Sequence, residues 1–146
     1  MSETGRCELC STTAGELLWS SPACRIVLVN EADYPGFCRV IWTAHVREMS
    51  DLSTAQQQAL MAVVFAVEAV LRQLYDPLKI NLASFGNMVP HLHWHIIPRW
   101  ADDPHFPEPI WGRRQRDSTG LRPKVSAAQL AAAMQQALAA LPDLPQ

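Results

Sequence analysis

Charge is scarce in this 146-residue chain and neither sign dominates. Asp and Glu number 14, Lys and Arg 12, and the formal net charge is -2 at pH 7. No basic field is therefore available to hold a nucleic-acid backbone, although local donors can still bind a small polyanion. Long apolar runs are missing too: read along the sequence, none approaches the roughly 20 residues of a membrane span. The N-terminal MSETGRCELC has no hydrophobic segment and does not read as a signal peptide. There is no internal repeat, and cysteine is confined to Cys7, Cys10, Cys24 and Cys38. These absences predict a cytoplasmic protein that binds neither nucleic acid nor membrane. Its cysteines should then be thiols or metal ligands and not disulfides.

What remains is apolar enough to fold. Hydrophobic residues make up 49% of the chain and charged residues 18%, which suits one compact domain and argues against disorder. Residues 24–30 (CRIVLVN) and 37–43 (FCRVIWT) are rich in β-branched and aromatic side chains, and Pro35-Gly36 between them signals a turn. They read as an antiparallel pair, with 16–20 (ELLWS) as an added edge strand. Cys24 and Cys38 fall within these runs and read as small buried hydrophobes. Ser53 with Gln56 is a capping-box pattern, and Leu60, Val63, Val64, Val67, Val70, Leu71 and Leu74 follow at helical spacing until Pro77. Residues 79–85 and 91–100 read as two more strands. Ser126 and Gln129 repeat the capping box before an alanine-rich helix to about Leu141, which has few large side chains with which to pack and should lie loosely on the body. The order predicts an α+β domain: a mainly antiparallel sheet, one long helix and a C-terminal helix. Residues 1–123 would form the body, ending in a proline-rich extended segment, and 124–146 a helical tail packed on it or extending from it.

The chemistry concentrates in HLHWHII, residues 91–97, where three of the five histidines recur at every second position. On a strand, alternation puts His91, His93 and His95 on one face and Leu92, Trp94 and Ile96 on the other. Three imidazoles fill a core poorly, because every ring nitrogen needs a partner. Two readings follow. One is a metal site, for which a third ligand from the same strand is too far unless the strand bends. The other is a row acting on an elongated anion, with one imidazole as nucleophile and its neighbours as donors to phosphate oxygens. A lone histidine such as His105 reads as structural. Cys7-Glu8-Leu9-Cys10 is, by itself, half of a zinc site.

HLHWHII resembles the His-φ-His-φ-His-φ-φ signature of the histidine triad (HIT) superfamily of nucleotidyl hydrolases and transferases. LVNEADYPGFCRVIWTAHVREMSDLS is similar to that family's strand–turn–strand and the segment leading into its helix, and NLASFGNMVP to the strand and loop before the triad. The resemblance covers roughly residues 7–100. It implies a HIT-like fold and hydrolysis of a phosphoanhydride or phosphoramidate at the α-phosphate of a nucleotide, such as a dinucleoside polyphosphate or a nucleoside phosphoramidate. It implies His93 as the nucleophile, His95 as the histidine that contacts phosphate and helps the leaving group depart, and His91 as the remaining triad member. Asn30 matches the position that hydrogen-bonds the ribose hydroxyls, Asn81 and Asn87 fall near the phosphates, and Ile26 and Leu28 would wall the base pocket. Cys7, Cys10, His45 and His91 match a structural zinc set found in some members. A homodimer is implied, through the long helix or the segment bearing Trp111.

Three positions depart from the family pattern. Asn87-Met88 stands where many members have Gln followed by Ser or Thr. Phe37 stands where several dinucleoside polyphosphate hydrolases have His, and Trp94 is bulkier than the usual aliphatic. These bear on the substrate. The nucleoside monophosphate half should be fixed and the leaving group loose. A second base, if read at all, would stack on Trp100, His105 or Trp111. Two other classes stay open: a nucleotide-binding regulator with incidental hydrolysis, and a hydrolase whose triad carries a catalytic zinc.

Overall fold

Alternating β-branched and aromatic residues build a five-stranded sheet in the computed structural model, which describes residues 3–118 and 120–142. The strands are β1 (Glu16–Ser20), β2 (Cys24–Leu28), β3 (Cys38–Trp42), β4 (Lys79–Ala83) and β5 (His93–Arg99). Their spatial order is β1-β2-β3-β5-β4, and every neighbouring pair is antiparallel. A short helix α1 (Glu8–Ser11) precedes the sheet, α2 (Thr54–Tyr75) joins β3 to β4, and α3 (Ala127–Ala139) ends the described chain. The domain is α+β with an antiparallel sheet, as the order of elements predicted.

The hairpin joining β2 to β3 turns on Gly36, whose φ of +83° is costly for any residue with a Cβ. A Cβ there would also lie 2.7 Å from the Tyr75 ring. That contact pins the hairpin to the end of α2. At the other end of α2 the Ser53 hydroxyl accepts the Gln56 N–H, and the Gln56 side chain accepts the Ser53 N–H, closing the capping box. Asp76, in the left-handed region, carries the chain out of the helix ahead of Pro77.

One sequence expectation needs correction here. α2, at 22 residues, is long and apolar enough to cross a bilayer by length and composition. Polar glutamines and one glutamate punctuate the run and hide its length in the sequence. Leu60, Val63, Val64, Val67, Val70, Leu71 and Tyr75 are buried along one face of this helix, within the main core. The length belongs to a core helix.

Strand register assigns the two faces of the sheet. Ile26 pairs with Val40, and Val40 with Trp94; Leu28 pairs with Cys38, and Cys38 with Ile96. These residues form the α2 side, together with fully buried Cys24. α3 joins the same core. Leu130, Met134 and Leu138 recur every four residues and are buried in it, each burial stabilising by about 1.5–3 kcal/mol. Few large side chains suffice when they share one stripe, so α3 is closely packed where its composition suggests a loose tail. The opposite face carries Arg25, Ile41 and His93 in one register line and Val27, Arg39, His95 and Ala83 in the next. That face holds the chemistry.

Candidate functional site

β5 begins at His93, so His91 lies just outside the ladder and leaves the predicted row. Its Nε2–H donates to the Trp42 carbonyl at 2.6 Å, which leaves the Nδ1 lone pair free to turn the other way. Nδ1 sits 3.4 Å from Cys7 Sγ, 3.4 Å from Cys10 Sγ and 3.2 Å from His45 Nδ1. The four ligand atoms all lie within 4.8 Å of one another. Bonds of about 2.3 Å to sulfur and 2.0–2.1 Å to nitrogen give tetrahedral edges of about 3.3–3.8 Å, so the pairs at 3.2–3.4 Å make the cluster compatible with a Cys₂His₂ zinc site. Arg25 donates to the carbonyls of Leu9, Thr12 and Thr13 and clamps the same N-terminal segment onto the sheet. With His91 grouped this way, the three triad histidines do not converge on one point, and the reading of a metal held by the whole triad loses its geometry.

His93 and His95 stay together. Their rings meet edge to face with centroids 4.8 Å apart. The Nδ1–H of His93 donates to the His91 carbonyl at 2.5 Å, fixing the tautomer and leaving Nε2 as the free lone pair. Burial lowers the His93 pKa, and the positive charge of Arg39 adds to the effect. His95 is pushed down to about 3, chiefly by burial and then by His93 and Arg39, and its Nδ1 has no partner among the described residues. Both shifts favour the neutral imidazole.

The two rings border a cleft of about 510 Å³. Arg39, Phe85, Asn87 and Trp111 line it, and Glu8 and Leu9 reach it from α1. Trp111 stands edge-on to His95 at 4.8 Å and to Phe85 at 5.1 Å, and Phe37 flanks His95 at 5.7 Å. A second cleft of about 520 Å³ adjoins the first and shares Phe85 and Trp111 with it.

Trp111 is held there by the segment after β5. Arg99 and Asp103, both buried, form a bidentate pair at 2.7 and 3.0 Å. The Asp103 carboxylate also accepts the N–H groups of Trp100, His105 and Phe106, and the Tyr34 hydroxyl. These donors, Arg99 first, outweigh burial and hold its pKa at about 2.

The remaining sequence-predicted residues scatter. Asn87 lines the histidine cleft. Asn81 is on the same sheet face, but its carbonyl oxygen accepts from Arg99 at 2.7 Å and it lines the second cleft. Asn30 is exposed beyond the end of β2 and outside the residues that line either cleft. Ile26 and Leu28 lie elsewhere. Alternation turns them to the α2 side, where they pack in the main core, and neither walls the histidine cleft. Trp100 belongs to that core as well, capped by Arg122 at 4.3 Å, and His105 bonds Tyr34. Of the three proposed stacking residues only Trp111 faces the cleft. Sequence reasoning missed Arg39, Phe85 and Glu8, and the period-two pattern of CRVIW was the available signal for Arg39.

Comparison with known proteins agrees with this geometry. A family model described as the HIT domain matches residues 13–102. AP-4-A phosphorylase from Mycobacterium tuberculosis is 29% identical over 86 residues, covering 55% of this chain and 44% of that protein. The chain thus spans less than half the length of the curated relatives it matches. A histidine triad protein from Marinobacter aquaeolei VT8 superposes with a TM-score of 0.69 at 30% identity, over 87% of this chain and 90% of that one. A histidine triad protein from Bradyrhizobium japonicum gives 0.66 at 27% identity, over 83% and 90%. The family model takes in most of the chain, including β1 to β5 and the whole of HLHWHII, and the chain belongs to the HIT domain family.

Proposed function

We propose that this protein is a nucleotide hydrolase that cleaves a phosphoanhydride or phosphoramidate at the α-phosphate through a covalent nucleotidyl-histidine. One observation carries the reading: His93 gives its Nδ1–H to the His91 carbonyl, so Nε2 keeps its lone pair at the edge of a cleft it shares with His95. Nε2 attacks the α-phosphorus, a P–N bond forms, and the bond to the leaving group breaks with its electron pair. The imidazolium formed is stabilised through Nδ1–H by the carbonyl that already accepts it. Water then attacks phosphorus, the P–N bond breaks, Nε2 recovers its lone pair, and nucleoside monophosphate is released as the water proton passes to solvent. His95, neutral and beside His93, contacts the phosphate and assists departure of the leaving group. His91 acts through its carbonyl and its place in the Cys/His cluster. Asn87 is assigned to the phosphate side and Asn30 to the ribose hydroxyls.

Cys7, Cys10, His45 and His91 would hold a structural zinc, whose closed ligand set supplies cross-linking of the N-terminal segment to the strand that bears His93. Dinucleoside polyphosphates are the first substrates to test, given the name of the Mycobacterium tuberculosis relative, with nucleoside phosphoramidates beside them. A homodimer and a cytoplasmic setting, in which thiols stay reduced, complete the proposal. Turnover of diadenosine tetraphosphate and an adenosine phosphoramidate by wild type and His93→Ala tests it. The variant should lose several orders of magnitude in kcat because the chemical path is removed. A regulator with incidental hydrolysis would instead show slow turnover little changed by the substitution.

A further inference from the structure

Among the described residues that line the histidine cleft Arg39 is the one Lys or Arg, and the triad signature does not include it. It is the second residue of β3 with His95 as its register partner on β5, so its side chain rises from the same sheet face as His93 and His95. Its Nε is buried and meets no acceptor among the described residues. Its guanidinium carbon lies 5.7 Å from the Phe37 ring centre, which supports the flat group on one side. A buried N–H without an acceptor is costly, and such a group in a cleft commonly awaits a ligand.

We propose that Arg39 is a phosphate-binding residue of the histidine cleft, its Nε–H and neighbouring N–H donors reserved for the oxygens of the phosphoryl group presented to His93 and His95. The inference rests on the proposed function above and adds the charge that reading lacks. His93 gives its Nδ1–H to the His91 carbonyl and keeps Nε2 as a lone pair, so it has no N–H left for an incoming phosphate. A guanidinium supplies that charge and a planar fork matched to two phosphate oxygens. Burial lowers the Arg39 pKa, and the negative charge of Glu8, which lines the cleft from α1, works against that shift. Glu8 makes no hydrogen bond to Arg39 that would occupy Nε, so the donor is open to a ligand. A nucleoside without phosphate should gain nothing from Arg39. The distinction makes the inference testable apart from catalysis.

The experiment measures binding of AMP, GMP and adenosine to the full chain by calorimetry, for wild type and Arg39→Gln. AMP and GMP affinity should fall roughly 10- to 100-fold in the variant, as expected for losing hydrogen bonds to a charged group, while adenosine affinity stays within about twofold. Should Arg39→Gln fold poorly, the wild-type protein answers by NMR. The Arg39 Nε–H resonance, assigned by its loss in Arg39→Lys, should shift on addition of AMP and remain in place with adenosine. Unchanged AMP affinity in Arg39→Gln, an equal loss for adenosine, or an Nε–H resonance indifferent to AMP would overturn the assignment. If wild type bound neither AMP nor GMP, the proposed function itself would fall, and this inference with it.

Discussion

Replacing Asp103 by alanine would leave Arg99, only 2% exposed, charged and without its counterion. The carboxylate accepts Arg99 Nε at 2.7 Å and Nη2 at 3.0 Å, three backbone N–H groups at 2.8–3.1 Å, and the Tyr34 hydroxyl at 3.2 Å. After truncation Arg99 keeps hydrogen bonds to Asn81 and the Glu108 carbonyl and ring contacts with Tyr34 and Phe106, none of them charged. Breaking a buried pair from one side costs about 3–5 kcal/mol. For a chain of this length each kcal/mol corresponds to roughly 3 °C in Tm, so Asp103→Ala should melt about 9–15 °C below wild type. The apolar double variant Arg99→Met/Asp103→Leu should recover at least half of that loss, because no orphan charge remains. Activity should behave differently. Asp103 organises the segment that sets Trp111 against His95, so turnover measured well below both melting points should stay depressed in the double variant. Thermal melts and initial rates of the three proteins decide the matter. A single variant within about 4 °C of wild type, or a double variant no more stable than the single, would refute the reasoning.

The Cys/His cluster predicts that purified protein carries about one zinc per chain, and that Cys7→Ser or Cys10→Ser loses both the metal and thermal stability, because a closed site contributes folding energy; metal-free wild type melting like the variants would contradict it. Acid should weaken the fold in two stages. His95 binds its proton more readily unfolded than folded, so its contribution is whole above about pH 6.5 and is lost as the pH falls from there toward 3. Asp103, with its pKa held at about 2, contributes fully above about pH 4 and loses that contribution as the pH falls toward 2. Denaturant melts of wild type and His95→Asn between pH 7 and 4 check the first stage: the variant should show the flatter profile, and equal slopes would refute the assignment.

The legible parts of this protein are those where local pattern and tertiary structure agree. The Ser53–Gln56 and Ser126–Gln129 boxes start helices because they satisfy the helices' own orphan donors, whatever lies around them. His93 and His95 share a face because alternation on one strand requires it. What alternation does not give is which face of a neighbouring strand matches that one. Ile26 and Val27 are adjacent and both apolar, and only pairing through β3 sends Ile26 to the core and Val27 to the histidine side. Arg39 was hidden for the same reason, since an arginine in CRVIW reads as an outward-facing strand residue until its register with His95 is known. His91 left the row because β5 starts two residues later than the sequence pattern suggests. Asn81 and Trp111 depended on the Arg99–Asp103 pair, a contact four residues apart that becomes informative only when both partners are buried.

The central claim is that His93 forms a bond to phosphorus. It is tested most directly by quenching the protein in denaturant at alkaline pH during turnover of diadenosine tetraphosphate and mapping the mass of its tryptic peptides. The account predicts an added adenylyl group on the peptide containing HLHWHII, localised to His93, stable in base and lost in acid. It further predicts that His93→Ala carries none. Rapid turnover with no adduct on that peptide at any time, or an adduct on His95 or His91 instead, would contradict it.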